Sequence, residues 1–203
     1  MILVIAFSAG IYFGGGFRGS GDAPDIAGFL WPDPPKIEQF SLDRASGENF
    51  SELDLENHWT LLFFGFVNCP DVCPTTMSLL NQVYEKLRAT PALFDKLQVV
   101  FVSVDPERDE PETLRSYVEY FNPEFIGVTA PDNRLKAFAR QFGVLYVKIN
   151  SSDGQAYSMD HSASILMVSP DLRFVGVFSQ PHDPADITDR INRIASFLES
   201  GQK

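Results

Sequence analysis

Two long apolar runs in the middle of the chain predict the centre of a β-sheet. Residues 60–67 read TLLFFGFV and residues 97–104 read LQVVFVSV, with few polar residues in either run. Strands have this pattern when helices cover both faces of a parallel sheet, because neither side of the strand then meets water. We therefore expect two adjacent central strands, joined by a helix that crosses over the sheet.

Apolar residues at helical spacing predict that crossover helix and three more. In the first helix Pro74 suits the first helical position, which places Cys73 at the helix N-terminus. A glycine at position 143 is a typical stop for the third helix. The apolar residues of the crossover helix are Met77, Leu80, Val83, Tyr84 and Leu87, and the later helices are predicted over Pro111–Phe121, 133–142 and 185–198.

Shorter strand patterns, each bounded by turn residues, complete the predicted fold. Phe40 and Leu42 lead into a turn at residues 43–47 and indicate an opening hairpin. Further strands of antiparallel character are predicted at 144–149, Ile165–Val168 and Phe174–Phe178, with turns at 153–154 and 170–171. This order of elements is typical of an α/β thioredoxin-like fold, with a mixed central sheet, flanking helices and an inserted helix and strand.

The N-terminal residues differ in composition from the rest. Residues 1–17 contain no charged residue, which predicts an N-terminal transmembrane anchor, although 17 residues is the lower limit for a spanning helix. A cleaved signal peptide is the alternative, but no basic segment precedes the apolar one. Residues 18–36 are rich in Gly, Pro and Asp and predict an extended tether. The globular domain is predicted over residues 37–203.

Composition and charge argue against a disordered chain and against a nucleic-acid-binding protein. Hydrophobic residues make up 44% of the chain and 18 residues are Phe, which argues against disorder. The 16 basic and 27 acidic residues give a net charge of −11, and no cluster of Lys or Arg is available to follow a phosphate backbone. We therefore expect no nucleic-acid partner, and we expect the acidic surface to favour a basic docking face.

The only two cysteines, Cys69 and Cys73, lie between the first apolar run and the crossover helix. This position is at the carboxyl end of a strand, where open sheets bind ligands. Residues four apart on a helix have Cβ atoms about 5–6 Å apart, whereas a disulfide needs about 3.5–4.5 Å. The spacing thus slightly favours a bridging ion over a disulfide, which stays reachable if the backbone moves locally. The helix N-terminus favours the thiolate, and the carboxylate of Asp71 opposes it.

Three motifs in order along the chain resemble the Sco/SenC family. They are FGFVNCPDVCP at residues 64–74, VSVDPERD at 102–109 and YSMDHS at 157–162. Proteins of this family are membrane-tethered, thioredoxin-like copper chaperones that serve assembly of the dinuclear copper centre of cytochrome c oxidase. The resemblance implies that Cys69, Cys73 and His161 are copper ligands and that the copper-centre subunit of the oxidase is the partner. It does not identify the donor that supplies the copper.

The chemistry of these residues agrees with copper. Thiolates are soft ligands that select Cu(I), and imidazole binds copper in either oxidation state, so Cu(II) is also accommodated. Zinc is the competing metal, but a structural zinc site normally has a fourth protein ligand, and the chain has no third cysteine. His58 and His182 fall in other parts of the predicted fold. An open coordination position suits a protein that must transfer its metal.

Three acidic residues are candidates for supporting roles. Asp160 precedes His161 and is a candidate to orient its imidazole, as carboxylates often do for ligating histidines. Asp105 follows the second central strand at the same sheet edge as the cysteines, and Asp71 lies between the two cysteines. For each of them the alternative interpretation is an ordinary loop or turn carboxylate in water.

Two other functions use the same cysteines. A thiol-disulfide oxidoreductase that reduces cysteines of the oxidase subunit, or of another partner, needs the cysteine pair but not the histidine. A peroxidase needs an activated thiolate, and no basic residue lies within the cysteine loop to activate it. In all three cases the membrane segment predicts a domain outside the cytoplasm, in the periplasm of a bacterium or the intermembrane space of a mitochondrion.

Overall fold

The structure is a computed structural model that describes residues 33–150 and 157–201. Within these residues the chain forms nine strands and six helices. The strands are β1 (Ser41–Arg44), β2 (Asn49–Ser51), β3 (Trp59–Gly65), β4 (Leu97–Ser103), β5 (Ile126–Thr129), β6 (Tyr146–Asn150), β7 (Tyr157–His161), β8 (Ile165–Val168) and β9 (Phe174–Phe178). The helices are α1 (Glu52–Leu55), α2 (Val72–Leu87), α3 (Pro91–Phe94), α4 (Pro111–Phe121), α5 (Asp132–Gln141) and α6 (Pro184–Gly201).

Seven of these strands form one mixed sheet in the order β2-β1-β5-β4-β3-β8-β9. The central strands β3, β4 and β5 are parallel, while β8 runs antiparallel to β3 and β1 runs antiparallel to β5. The register pairs Gly65 with Ser103, so β3 and β4 end side by side at one edge of the sheet. This mixed sheet, flanked by helices, confirms the predicted thioredoxin-like α/β fold.

Alternate residues of β3 enter two separate hydrophobic cores. Leu61 and Phe63 face helices α2, α4 and α6, whereas Leu62 and Phe64 face helix α5. Successive side chains of a strand point to opposite faces, so a strand that is covered on both sides must be apolar throughout. All seven residues of β3 and all seven of β4 are buried. The continuous apolar runs in the sequence are explained by this burial.

One strand that matters for function, β7, was not predicted from the sequence. The segment predicted as a strand at 144–149 pairs with β7, through Tyr146–His161 to Asn150–Tyr157, and forms a separate two-stranded sheet. The sequence of β7, YSMDH, contains no apolar run, and its residues are exposed or half-buried in alternation. An edge ribbon of this kind gives a weak strand signal. The turn predicted at 153–154 lies outside the described residues.

The predicted anchor at residues 1–17 and most of the predicted tether also lie outside the described residues. None of the helices in the described ranges has the length and apolar character needed to cross a membrane. The end of the predicted tether runs along the domain: the Phe174 N–H donates to the carbonyl of Pro35 at 2.9 Å, and Arg173 donates to the carbonyl of Pro34 at 2.9 Å. The chain therefore enters the domain beside β9.

Candidate metal centre

The two cysteines lie where β3 leaves the sheet and the chain turns into α2. Cys69 is in the connecting loop, where its N–H donates to the carbonyl of Phe66 at 3.2 Å. Cys73 is the second residue of α2, and its N–H points at the Sγ of Cys69 at 3.4 Å. Both thiols are free. The start of the helix therefore brings the two sulfur atoms together while leaving them unbonded.

The β6–β7 hairpin brings His161 to the sulfur pair. His161 is the last residue of β7. Its Nε2 lies 3.5 Å from the Sγ of Cys73, and the two sulfurs and one ring nitrogen all lie within 4.8 Å of one another. Its Nδ1 lies 2.9 Å from the carbonyl of Ser162. The ring packs edge-on against Phe66, with centroids 5.8 Å apart. In the tautomer whose Nδ1–H donates to the carbonyl of Ser162, Nε2 is unprotonated and directs its lone pair towards the sulfurs.

Burial decides the charge state of the deeper cysteine. Cys73 has no exposed surface, and this burial, reinforced by the hydrogen bond with Cys69 and by the charges of Cys69 and Asp109, raises the pKa of the Cys73 thiol far above its ordinary value. Desolvation therefore outweighs the helix N-terminus, which favours the thiolate. A fully buried thiolate is unfavourable unless a cation lies beside it, and a bound metal ion deprotonates a coordinating thiol. The donor set thus fits a soft metal cation.

Gly65, the last residue of β3, makes room for the buried sulfur. A Cβ atom at this position would lie 3.0 Å from the Sγ of Cys73 and 2.7 Å from the ring of Phe101. Both distances are shorter than ordinary van der Waals contacts, so a side chain here would displace the sulfur or the ring. The glycine in the FGF motif is therefore part of the wall of the site.

Asp109 fixes the start of the cysteine loop from behind. Its carboxylate accepts hydrogen bonds from the N–H of Val67 at 2.9 Å and from the hydroxyl of Ser103 at 2.6 Å, and only 1% of the residue is exposed. Burial raises the pKa of this carboxyl, the two hydrogen bonds oppose the rise, and the neighbouring charge of Asp105 adds to it. Asp109 belongs to the VSVDPERD motif, but the sequence alone assigned it no role.

The three acidic residues that the sequence singled out lie in different environments. Asp105 is buried and accepts hydrogen bonds from Arg108 and from the hydroxyl of Tyr157. Asp71 is the exposed residue that precedes α2. Asp160 is exposed on β7, and since alternate residues of a strand face opposite sides, it points away from the face that carries His161. The Nδ1 of His161 faces the carbonyl of Ser162, and the candidate role of Asp160 in orienting the imidazole stays a prediction.

The other two histidines do not join the cluster. The Nδ1 of His58 lies 2.9 Å from the carbonyl oxygen of Glu56, and the Nε2 of His182 lies 3.0 Å from the carbonyl oxygen of Phe178. Cys69, Cys73 and His161 are the only group of at least three acidic, cysteine or histidine side chains with metal-binding spacing in the part of the chain that the structure describes. An open groove of about 620 Å³ borders His161, and its walls include Tyr146, Val147 and Ser162.

A family model described as SCO1/SenC matches residues 32–196 of the chain. The chain belongs to the SCO1/SenC family. The match covers β1 to β9 and most of α6, and therefore includes every residue of the candidate metal centre.

Individual SCO1/SenC proteins match over the same domain. The mitochondrial SCO1 homolog 1 of Arabidopsis thaliana is 36% identical over 152 residues, which are 75% of this chain and 45% of that protein. The mitochondrial SCO2 homolog of Bos taurus is 36% identical over 154 residues, which are 76% of this chain and 58% of that protein. The chain thus spans about half the length of these relatives. A crystal structure of Arabidopsis thaliana ScoI with copper bound superposes with a TM-score of 0.74 at 34% identity, over 80% of this chain and 99% of that one.

We expect Gly65→Ala to weaken metal binding, because the added methyl group must displace the Cys73 sulfur or the Phe101 ring. Overpacking of a buried site typically costs about 1–3 kcal/mol of unfolding free energy. The matched control is Gly127→Ala on β5, where the methyl group would meet only the aliphatic side chains of Leu114 and Val118. Urea unfolding should register a loss in both variants, whereas a Cu(I) competition titration should detect weaker binding only in Gly65→Ala. Equal copper affinity in the two variants would contradict this account of Gly65.

We expect the effect of Asp109→Asn on stability to depend on pH. Because burial raises the pKa of Asp109, the native state holds this proton more tightly than the unfolded state does. Its stabilising contribution is therefore present below the ordinary aspartate pKa of about 3.9 and is lost as the pH rises through the native value. The free energy of unfolding of Asp109→Asn, measured relative to wild type, should rise as the pH increases above about 4.

Asp54→Asn serves as a control of opposite sign. Burial raises the pKa of Asp54, but hydrogen bonds from the Ser51 N–H and from Arg44 outweigh this effect, and the pKa of Asp54 is lowered overall. A lowered pKa contributes stability that is fully present above the unfolded value and is lost as the pH falls through the native value, so the free energy of unfolding of Asp54→Asn relative to wild type should fall as the pH rises towards about 3.9 and stay level above it. If the free energies of unfolding of the two variants changed with pH in the same direction, the raised pKa of Asp109 would be contradicted.

Proposed function

We propose that this SCO1/SenC chain is a copper chaperone that carries one copper ion as cargo and supports assembly of the dinuclear copper centre of cytochrome c oxidase. Cys69, Cys73 and His161 are the proposed ligands. The observation that supports the proposal best is the convergence of two sulfurs and one imidazole nitrogen within 4.8 Å, from a loop, a helix and a hairpin. The copper-bound ScoI structure of Arabidopsis thaliana, at 34% identity, supports copper as the metal.

The donor set fits copper better than zinc. Two thiolates and an imidazole form the soft, nitrogen-containing set that copper accepts in both oxidation states. A structural zinc site would need a fourth protein ligand, and no other cysteine or histidine among the described residues joins the cluster. A three-ligand site leaves a coordination position open. A ligand of the receiving protein can then attack the copper ion before a ligand of the chaperone leaves.

The unequal burial of the ligands supports an order of release. Cys73 has no exposed surface, whereas Cys69 and His161 are partly exposed, and His161 borders the open groove beside the hairpin. A receiving ligand therefore approaches from the side of His161 and Cys69. The buried thiolate of Cys73 is the ligand that most needs the cation, because its charge is otherwise uncompensated in the core. We infer that Cys73 is the last ligand to leave.

A thiol-disulfide oxidoreductase remains the alternative because the two thiols are free and close together. In such an enzyme an exposed thiolate attacks the disulfide of the partner. Cys69 has the necessary exposure, while burial of Cys73 and its raised pKa leave that residue poorly suited to attack. This reaction makes no use of His161, whose position at the sulfur pair therefore favours the chaperone.

We also propose the cellular setting of the domain. Residues 1–17 form a membrane anchor, residues 18–36 form a tether, and residues 37–203 form the copper-binding domain outside the cytoplasm. That side is the periplasm in a bacterium or the intermembrane space in a mitochondrion. The absence of charge in residues 1–17 supports the anchor. The receiving partner is the copper-centre subunit of the oxidase. A basic face of that subunit would complement the net charge of −11 of this chain.

We expect the reduced protein to bind one equivalent of Cu(I). Cys69→Ala and Cys73→Ala should lose this copper, because a single thiolate and an imidazole cannot replace the second sulfur. His161→Ala should retain copper with a lower affinity. His58→Ala and His182→Ala are matched controls, since both histidines lie outside the cluster, and both should bind like wild type. Metal analysis after gel filtration, with competition titration for affinity, provides the measurement. Full copper retention in all three ligand variants would end the proposal.

We expect the copper-loaded chain to pass its metal to the metal-free, reduced copper-centre domain of the oxidase subunit. The two proteins are mixed anaerobically, separated by ion exchange and analysed for copper. Because the site has an open coordination position, we expect transfer within minutes of mixing. In the control, the acceptor is mixed with copper bound to a small chelator instead of to the chain. If no copper moves, while the chain reduces an oxidised cysteine pair in the same acceptor, the oxidoreductase replaces the chaperone as the proposed function.

A further inference from the structure

The β6–β7 hairpin that carries His161 has little backbone connection to the rest of the domain. Among the residues that the structure describes, the two strands pair only with each other, and the seven-stranded sheet does not include them. The position of the imidazole relative to the sulfurs therefore depends on side-chain contacts between the hairpin and the domain. Met159 supplies an apolar contact, since it packs against both hydrophobic cores. Polar contacts that set a direction and a distance must come from other residues.

Two of these polar contacts are made by β6: the hydroxyl of Tyr146 donates to Asp132 at 3.0 Å, and Lys148 pairs with Glu107 at 2.6 Å. The others converge on Tyr157, the first residue of β7. Its hydroxyl donates to the carboxylate of Asp105 at 2.8 Å, and its carbonyl accepts from the guanidinium of Arg108 at 3.0 Å. The guanidinium carbon of Arg108 also lies 3.7 Å from the centroid of the Tyr157 ring, which is a close cation–π contact. Arg108 is itself held by an ion pair with Asp105. Both ends of the tyrosine are therefore fixed by one short segment.

The same segment, residues 105–109, also holds the cysteine loop. Asp109 accepts the N–H of Val67, two residues before Cys69, while Arg108 and Asp105 bind the hairpin. The segment is anchored at its start, because the N–H of Asp105 donates to the hydroxyl of Ser103 at the end of β4. One turn at the end of a central strand thus contacts both parts of the site. It fixes the distance between the sulfur pair and the imidazole without touching either.

We propose that Arg108 and Tyr157 are positioning residues that clamp the β6–β7 hairpin to the 105–109 turn and so hold His161 at Cys69 and Cys73. This inference rests on the proposed copper-binding function and deepens it. Arg108 suits the role because its planar guanidinium can stack on the tyrosine ring and donate to the tyrosine carbonyl at the same time. Lysine cannot make both contacts. Without the clamp, the hairpin keeps its own pairing and the contacts of Tyr146 and Lys148, but β7 loses the contacts that fix His161 relative to the sulfurs.

A double-mutant cycle on Cu(I) affinity tests the clamp. The proteins are wild type, Arg108→Ala, His161→Ala and the double variant, each titrated in the reduced state against a competing chelator. Partners that orient a ligating histidine typically contribute 10-fold to 100-fold in metal affinity, so we expect Arg108→Ala to weaken binding by about 10-fold in the wild-type background. In the His161→Ala background the same change should have no further effect, because the clamp acts only through the histidine.

Two conservative variants and one control keep the test informative if Arg108→Ala folds poorly. Tyr157→Phe keeps the ring under Arg108 but loses the bond to Asp105, and Arg108→Lys keeps the charge but loses the planar stack. Both should weaken copper binding less than Arg108→Ala does. Arg134→Ala is the control: this arginine pairs with Asp43 and contacts Ser41, away from the hairpin, and its loss should leave copper affinity unchanged.

Hydrogen exchange of the metal-free protein gives a readout that does not depend on copper. Amides of β6 and β7 should exchange faster in Arg108→Ala than in wild type, while amides of β3 and β4 should keep their protection. Unchanged exchange in the hairpin, or an equal loss of copper affinity with and without His161, would overturn the clamp. The proposed function fails separately, if wild type binds no copper or if His161→Ala binds it as tightly as wild type does.

Discussion

The structure of the site depends on the complete burial of one sulfur atom at the end of the central sheet. The sulfur of Cys73 lies next to Gly65, which has no side chain to displace it. Gly65 ends β3, and every residue of β3 and of its neighbour β4 is buried. A sulfur in this position resists ionisation, and only a neighbouring cation makes its thiolate favourable. Cys69, four residues away, is partly solvated, so as the second proposed ligand it carries a thiolate at lower cost. The site is therefore asymmetric, with one sulfur in the core and one at the surface.

The third ligand belongs to a structurally different part of the molecule. The sulfurs are placed by β3 and α2, which are continuous with the core, whereas the imidazole is placed by a ribbon that joins the domain through side chains. The turn at residues 105–109 connects these parts through Asp109 on one side and Arg108 on the other. This division agrees with the needs of a carrier. In the proposed chaperone the sulfurs retain the ion, and the histidine side of the site, which borders the open groove, is the side that a receiving protein reaches.

The sequence predicted those features whose cause is local. The burial of β3 and β4 follows from their unbroken apolar runs, and α4 follows from its apolar stripe between Pro111 and Phe121. The position of His161 could not be derived in this way, because β7 alternates polar and apolar residues weakly and its pairing partner is set by the tertiary fold. Only the ordered motifs placed it in a site. The raised pKa of Cys73 and the contacts of Asp109 depend on depth within the core, which a linear pattern does not record.

The register of the hairpin has a consequence for how such domains can diverge. His161 pairs with Tyr146 at the base of the ribbon, and the strands remain paired as far as Asn150 and Tyr157. Residues added or removed beyond that last pair would change the reach of the ribbon while leaving its base in the same place. A change in the length of this connection therefore alters the surface that a partner protein meets and leaves the pairing that carries His161 in place.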